Sequence, residues 1–480
     1  MEDTIVAIST PVGEGGIGIV RMSGQRALSV ADKIFRPKSG RKPSESKTYT
    51  THYGHIICFA APRAPKYRPG PGRIFRDDKN AEVIDEVILT VMRSPKSYTK
   101  EDIVEINCHG GIVPLRKVLE LILSLGARLA QPGEFTRRAF MNGRIDLAQA
   151  EAVLDIIRSK TEDSMKAALC QLEGELSGKI NRLKKEVLNV LSEIEARIDF
   201  SEDDIEFTPK KSLSRGLTRI SGEMGKLIDG ANKGIILREG IMCVICGRPN
   251  AGKSSLMNAF LRRNRVIVTP VPGTTRDAIE EEISLDGIPI RIVDTAGISA
   301  GGNIVQRRGM QKSRSYIKAA DLILFMLDSS KPWSKADSDI FSKIKGGKFM
   351  VIANKSDLPK RLDLKKVKRV TRKDDIMEIS VLKKKNLNMI EKSILGEIWR
   401  GRLRHPEAAF ITNLRHKKDL ERARKRVKMA VNTLRPGSLF KPEITALALR
   451  DAVFFLGSIL GEATGPDMLD RIFSKFCIGK

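Results

Sequence analysis

Gly247-Arg-Pro-Asn-Ala-Gly-Lys-Ser254 is the stretch whose reading decides the fold. It satisfies G-x-x-x-x-G-K-[ST], the phosphate loop, and the apolar run Ile241 to Cys246 leads into it as a buried strand would. Ser255-Leu-Met-Asn-Ala-Phe-Leu261 then has the apolar spacing of a helix start. A strand, a glycine loop and a helix N-terminus together aim backbone N–H groups and a positive helix end at one place, which suits a polyphosphate. Lys253 is placed to reach the terminal phosphates and Ser254 to ligate magnesium.

Downstream, the loop acquires partners in a fixed order. After Val266 to Thr269, Pro272-Gly-Thr-Thr-Arg-Asp277 carries two hydroxyls, either of which could complete a magnesium shell. The strand candidate Ile290 to Val293 ends in Asp294-Thr-Ala-Gly297. There a carboxylate can hold the metal through water, and the Gly297 N–H can meet the terminal phosphate. Leu322 to Leu327 and Phe349 to Ala353 read as two more buried strands, the second running into Asn354-Lys-Ser-Asp357. Asp357 could accept two hydrogen bonds from guanine, which adenine cannot match. These motifs predict a GTP-binding domain over about 237–400. Cys243 and Cys246 spell C-x-x-C, but an offset of three on a strand points them to opposite faces, so they are expected in the core.

Helical patterning flanks this domain on both sides. Leu147 to Phe200 is almost continuously helix-forming and free of proline, and Ser212 to Leu237 supplies another helix. The acidic group Asp199, Glu202, Asp203, Asp204 and Glu206 between them lacks EF-hand spacing and reads as a solvated break. Beyond the GTPase segment, Arg415 to Leu434 is a helix dense in Lys and Arg, and Pro442 to Leu460 is a more apolar one. The basic helix is either a solvated face or an RNA-contacting one. Broad apolar faces without a sustained heptad suit a helical bundle.

The N-terminal section reads as α+β. Strands are expected at Thr4 to Ser9, Ile17 to Met22, Val83 to Met92 and Asp102 to Cys108, and a helix over Ile112 to Leu125. Gly13-Glu-Gly-Gly-Ile-Gly18 matches G-x-G-x-x-G, yet a strand follows where a dinucleotide site needs a helix, so the glycines should serve a turn or a close approach to the backbone. Residues 37–48 and 61–80 read as loops. His109, beside two glycines and without metal-ligand companions, reads as structural. The stretch from Gln131 to Thr136 through Asn142 to Ala148 is polar and glycine-bearing before a helix begins, and composition leaves open whether its charges are solvated.

The bulk numbers bound these readings. A chain of 480 residues should hold two to four domains. Its apolar runs are too short to span a bilayer, no signal peptide is visible, and six scattered cysteines predict a reducing cytoplasm. A net charge of +27 either favours a polyanionic partner such as nucleic acid or reflects a Lys/Arg bias that merely decorates the surface. Cys477 lies beside Lys475 and Lys480, whose charges favour the thiolate, so local chemistry leaves it either reactive or inert.

Taken together the residues resemble the MnmE (TrmE) family of tRNA-modification GTPases along the whole chain. The matching stretches are Asp3-Thr-Ile-Val with Gly15-Gly-Ile-Gly-Ile-Val-Arg21, Glu105 with Cys108-His-Gly-Gly111, Pro132-Gly-Glu-Phe-Thr136, and Asp146-Leu-Ala-Gln-Ala-Glu151. The phosphate loop, Gly273-Thr-Thr-Arg-Asp277 and the terminal Phe476-Cys-Ile-Gly-Lys480 complete the set. The resemblance implies a multidomain α/β and α+β fold. Its parts are an N-terminal folate-binding and dimerisation domain (1–142), a helical-bundle domain in two pieces (143–236 and 401–480), and a Ras-like P-loop GTPase domain inserted between them (237–400). It further implies a homodimer acting with the FAD-dependent MnmG (GidA) flavoprotein. Together they would install a carboxymethylaminomethyl or aminomethyl group on the wobble uridine of certain tRNAs, with a methylene-tetrahydrofolate as carbon donor.

Carried over by position, the nucleotide contacts are Asn250, Ala251, Gly252, Lys253, Ser254 and Ser255, then Thr269, Val271, Gly273, Thr274 and Thr275. They continue with Asp294, Thr295, Ala296 and Gly297, and end with Asn354, Lys355, Asp357 and Ser380. Ser254 and Thr275 would ligate magnesium, and Asn250, Thr269, Val271 and Thr274 a potassium ion. Arg21, Glu105, Arg144 and Lys480 would contact folate, and Cys477 would be the reactive thiol. The family usually carries a water-orienting glutamate after Asp-Thr-Ala-Gly, and here Gln306 aligns with it. Ser380-Val-Leu382 likewise departs from the usual base-contacting loop. An alternative is a non-modifying GTPase switch in ribosome or RNA assembly, but no G-x-x-G follows Gly401 to supply its usual KH module. A scaffold that binds nucleotide and hydrolyses it poorly is a third reading, resting on Gln306.

Overall fold

The computed structural model describes residues 3–59, 81–200, 206–264, 280–294, 314–399, 411–435, 437 and 440–480. It falls into two compact units, Met1–Leu154 with Leu460–Lys480, and Asp155–Ile459.

The first unit is built on a seven-stranded sheet. Its strands are β1 (Ile5–Ile8), β2 (Gly15–Ser23), β3 (Phe35–Pro37), β4 (Thr50–Phe59), β5 (Ala81–Met92), β6 (Ile103–Gly110) and β7 (Arg128–Leu129). They lie in the order β3-β4-β5-β6-β2-β1-β7. All pairs are antiparallel except β1 with β7. Helices α1 (Ala27–Ile34) and α2 (Ile112–Ser124) share one core with this sheet. In β2 the alternation sends Val20 and Met22 into that core and leaves Arg21 on the opposite face. What approaches Gly18 is packing, because a Cβ there would lie 2.6 Å from Leu115 Cδ1 of α2. Gly18 therefore serves close contact between helix and strand, whereas a Cβ on Gly13 or Gly15 would meet nothing within 4 Å.

Two further helices, α3 (Glu134–Met141) and α4 (Leu147–Arg158), follow. The chain's last helix, Pro466–Phe473, packs its Leu469 and Phe473 with Ala139, Ile145 and Leu147. Leu460–Lys480 thus folds with the N-terminal unit, whereas the sequence places all of 401–480 with the helical part. The helical period marks an apolar face but does not say which core receives it.

The second unit joins a helical part to a six-stranded sheet. The long helix-forming stretch from Leu147 is broken twice. Thr161 caps α5 (Glu162–Leu172) in a reciprocal capping box with Ser164, and left-handed Gly174 starts α6 (Glu175–Asp199). Helix α7 (Lys210–Glu239) follows; of the acidic break before it, Glu202, Asp203 and Asp204 lie outside the described residues. Gly240 then turns the chain into β8 (Ile241–Gly247).

The GTPase part continues with α8 (Lys253–Asn264), β9 (Glu280–Leu285), β10 (Ile288–Asp294), β11 (Leu322–Asp328) and α9 (Lys335–Ile344). It ends with β12 (Phe349–Asn354), α10 (Leu364–Thr371), β13 (Ile376–Glu378) and α11 (Leu387–Trp399). The strand order is β13-β12-β11-β8-β10-β9, parallel throughout except β9 with β10. This is the Ras-like doubly wound sheet. Every residue of β11 and β12 is buried, as both-face coverage requires. Cys243 lies in the core under α8 and α11, and Cys246 in the core under α9 and α10, on opposite faces as their spacing predicts.

After the sheet come α12 (Leu414–Thr433) and α13 (Pro442–Leu460). Helix α12 runs antiparallel to α7, Gly225 facing Arg424 and Gly234 facing Ile411. A Cβ on Gly234 would lie 2.1 Å from the Ile411 carbonyl, so the missing side chain sets how closely the chain returns. Among the described residues, no helix is long and apolar enough to cross a membrane.

Candidate functional site: a nucleotide cradle and a chain-end cluster

The turn after β8 is shaped by its backbone. Asn250 has φ +63° and Gly252 φ +101°, and a Cβ on Gly252 would lie 2.3 Å from Asn354 Nδ2. Lys253 is buried, and its Nζ donates to the carbonyls of Gly247 at 2.9 Å and Arg248 at 2.8 Å. Burial lowers its pKa, against the pull of Asp294 and Cys246. Ser254 Oγ donates to Asp294 Oδ2, which brings together two hard oxygens, from the first turn of α8 and the end of β10. That donor set fits magnesium.

The Asn354-Lys-Ser-Asp357 motif closes on the same turn. Asn354 Nδ2 donates to the Ala251 carbonyl at 2.8 Å, and its Oδ1 accepts from the Val381 N–H at 3.1 Å. Asn354 thus ties the phosphate loop to the loop at Ser380-Val-Leu382, and the departure at those positions leaves this tie in place because it uses backbone. Buried Ser380 hydrogen-bonds Asp357, which holds that carboxyl below its ordinary pKa. Ser255, Asn258, Asn354, Lys355, Asp357 and Leu382 help line a cavity of ≈ 670 Å³. It opens beside the C-terminal ends of the parallel strands, where ligands bind in open α/β sheets.

Two anchors of this site escaped the sequence reading. Arg248 pairs with Asp337 at 3.0 Å and donates to Ser334 Oγ at 3.1 Å, fastening the phosphate loop to the capping box of α9. Lys355 donates to buried Asp328 Oδ2 at 2.7 Å. Burial works to raise the Asp328 pKa, but bonds from Lys355 and Ser330 outweigh it and hold it low. Capping spacing, Ser334 to Asp337, was the signal available for the first; the second had none.

A second cluster forms in the first unit. Arg21 of β2 and Glu105 of β6 are directly opposed, and Arg21 Nε donates to Glu105 Oε1 at 2.6 Å. Arg21 Nη1 also donates to the Gly479 carbonyl at 3.2 Å. The Arg21 and Arg144 guanidinium groups lie 6.0 and 4.7 Å from the Tyr98 ring centre. Burial and Arg21 lower the Lys480 pKa, while Glu105 and Cys477 act in the other direction. Arg21, Glu105, Arg144 and Lys480 are therefore neighbours although they come from four separate stretches. Cys477 is exposed, and its carbonyl accepts from the Gly133 N–H at 3.3 Å.

The profile of the GTP-binding protein TrmE N-terminus matches residues 4–144, and that of the MnmE helical domain residues 147–477. The tRNA modification GTPase MnmE of Geobacillus kaustophilus is 43% identical over 100% of this chain and 99% of its own length. The chain belongs to the MnmE family. MnmE of Thermoanaerobacter pseudethanolicus is 44% identical, again over 100% of this chain and 99% of its own. Among solved structures, Era from Aquifex aeolicus bound to GDP and aluminium fluoride is 28% identical. It spans 40% of this chain and 67% of its own with a TM-score of 0.28.

For a member of the MnmE family, several expected site residues lie outside the described residues. These are Thr269, Val271, Gly273, Thr274, Thr275, Thr295, Ala296, Gly297 and Gln306. His109 Nδ1 lies 2.6 Å from Asp85 Oδ1.

The polar segment before α4 hides what composition left undecided. Arg138 of α3 is fully buried and meets Asp3, Glu101 and Glu134 at 2.7, 3.1 and 3.2 Å. These charges are structural ties behind the Pro132 to Thr136 motif.

Proposed function

We propose that this chain hydrolyses GTP in the service of tRNA modification. One observation carries the reading. The Lys253 and Ser254–Asp294 end of the cradle and the Asn354, Asp357 and Ser380 end are joined at a single turn through the bond from Asn354 to Ala251. The first end suits phosphates and magnesium, and the second suits guanine. The name borne by relatives that align with the whole chain supports tRNA as the substrate.

The finer reading is a potassium-dependent, homodimeric, cytoplasmic GTPase acting with the MnmG flavoprotein on the wobble uridine. Asn250, with Thr269, Val271 and Thr274, would hold the potassium ion. A cation beside the phosphates neutralises charge that builds in a loose transition state. Ser254 and Thr275 would hold magnesium, and Gln306 would orient the attacking water through its carbonyl. Arg21, Glu105, Arg144 and Lys480 would hold the folate carbon donor, and Cys477 would act as nucleophile in modification. The proposed division of labour has 1–142, joined by Leu460–Lys480, as the folate and dimerisation part, 237–400 as the GTPase, and 143–236 with 401–459 as the helical part. The adjacency of the four proposed folate residues supports that assignment.

GTP turnover in potassium and in sodium tests the reading, with and without Asn250→Ala. The unmodified chain should turn over faster in potassium, and the variant should lose the difference. Equal rates in both salts would remove the potassium site and leave the GTPase assignment standing.

A further inference from the structure

The basic helix α12 is not absorbed by the nucleotide site or by the chain-end cluster. Lys418, Arg422 and Lys425 recur at i, i+4 and i+7, and Lys428 lies on the same exposed arc. The acid on that arc is Glu421, which lies 3.7 Å from Lys417. Among the described residues, Lys418, Lys425 and Lys428 make no ion pair, so their charges face outward uncompensated.

Helix α13 lies alongside. Arg426 Nε meets Asp451 Oδ2 at 3.1 Å, and Ser458 donates to Asp419 at 3.2 Å. Across this seam the Arg422 guanidinium lies 5.7 Å from the Phe455 ring centre. Phe454 meets Phe455 edge-on at 5.7 Å and is itself 53% exposed. An aromatic ring thus stands open to solvent on the helix beside these lysines, next to an Arg422 that itself pairs with Asp419 at 3.3 Å. An open ring near lysines suits an unstacked base and its flanking phosphates.

We propose that the α12–α13 face binds an unpaired loop of the tRNA, with Lys418, Lys425 and Lys428 on phosphates and Phe454 stacked on a splayed base. The inference rests on the tRNA reading above and names the surface that serves it. Paired A-form RNA keeps its bases stacked, so the open ring favours a loop over a stem. A second copy of the chain is disfavoured as occupant, since a chain of net charge +27 would bring like charge to a basic row.

The test is fluorescence anisotropy of an unmodified tRNA transcript titrated with the full-length chain across a salt series. The triple variant Lys418→Glu/Lys425→Glu/Lys428→Glu should bind at least about tenfold more weakly. It should also flatten the slope of log K against log salt by about 2, at ~0.7 per phosphate contact for single strands. Phe454→Ala should weaken binding about tenfold and leave the slope unchanged. GTP turnover without tRNA reports folding and should be unaltered in both. If the unmodified chain binds and both variants bind equally well, this surface is wrong and the tRNA reading stands. A shift in oligomeric state by Phe454→Ala at unchanged RNA affinity overturns the proposal in favour of a self-contact. No tRNA binding by the unmodified chain overturns both.

Discussion

Arg21 Nη1 donates to the carbonyl of Gly479 at 3.2 Å, joining a strand near the start of the chain to its penultimate residue. Arg21 holds Glu105 with a different nitrogen of the same planar fork, so one side chain fixes both partners. Gly479 allows the approach because its φ is +91° and a Cβ there would lie 2.6 Å from the Ile8 carbonyl. Arg21→Lys supplies a single ammonium that cannot span both partners. Losing a charged hydrogen bond of about 1.5–3 kcal/mol should release the tail. Carboxypeptidase trimming of residues 477–480 should then accelerate at least about tenfold while GTP turnover stays unchanged.

Cys477 is the exposed cysteine of that tail. Cys477→Ser should leave GTP hydrolysis intact and abolish wobble-uridine modification, assayed by nucleoside analysis of a tRNA transcript. Modification retained by the variant would take the thiol out of the chemistry.

In the nucleotide cradle, Gly252→Ala places a methyl group where Asn354 Nδ2 now sits, at a φ of +101° that L residues rarely adopt. The backbone strain alone should cost about 1–3 kcal/mol. The variant should lower the melting temperature of the GTPase part. Displacement of Asn354 should weaken GTP binding more than tenfold, read by isothermal titration.

Arg138 has no exposed side-chain surface and neutralises Asp3, Glu101 and Glu134. Arg138→Leu leaves those carboxylates without their partner and should destabilise the first unit by about 3–5 kcal/mol in urea unfolding. Lys38→Ala, which breaks an exposed pair with Glu86, should leave the urea midpoint unmoved.

Acid should weaken the same unit. Burial alone would raise the pKa of Glu134 and of Asp3, but Arg128, with Arg138, carries both below their ordinary values of 4.5 and 3.8. The unfolded chain therefore takes up protons first as pH falls. The contribution of these pairs is complete above those ordinary values and drains away as pH drops through the lower folded ones. The urea midpoint, followed downward from pH about 6, should hold and then fall below about 4.5. In Arg138→Leu that acid limb should be shallower.

Much of the GTPase part was legible because each of its signals is local. The apolar runs at Ile241, Ile290, Leu322 and Phe349 became β8, β10, β11 and β12, and the helix expected over Pro442 to Leu460 has those bounds. Elements without a clean period were not. In β4 the register slips between Ile56 and Ile57, which spoils the alternation that marks a strand. Helix α3 reads as a polar segment because Glu134 and Arg138 are charged, yet both are buried and pair with each other at 3.2 Å. A composition rule that assigns charge to solvent fails wherever a buried ion network exists.

By itself the sequence determined the order of the motifs: a phosphate loop, an aspartate at a strand end, an Asn-Lys-Ser-Asp run and a Cys-Ile-Gly-Lys tail, each written in a few adjacent residues. Local patterns can do this because backbone propensity, apolar period and turn chemistry act over one or two turns of chain. Only the tertiary structure decided what those pieces meet. It placed Leu460–Lys480 on the N-terminal unit, joined Arg21 to Gly479 across 458 residues, and turned Asn354 back onto Ala251. Such contacts depend on which buried faces find each other once the chain has paid its loop-closure entropy, and no local spacing records that choice.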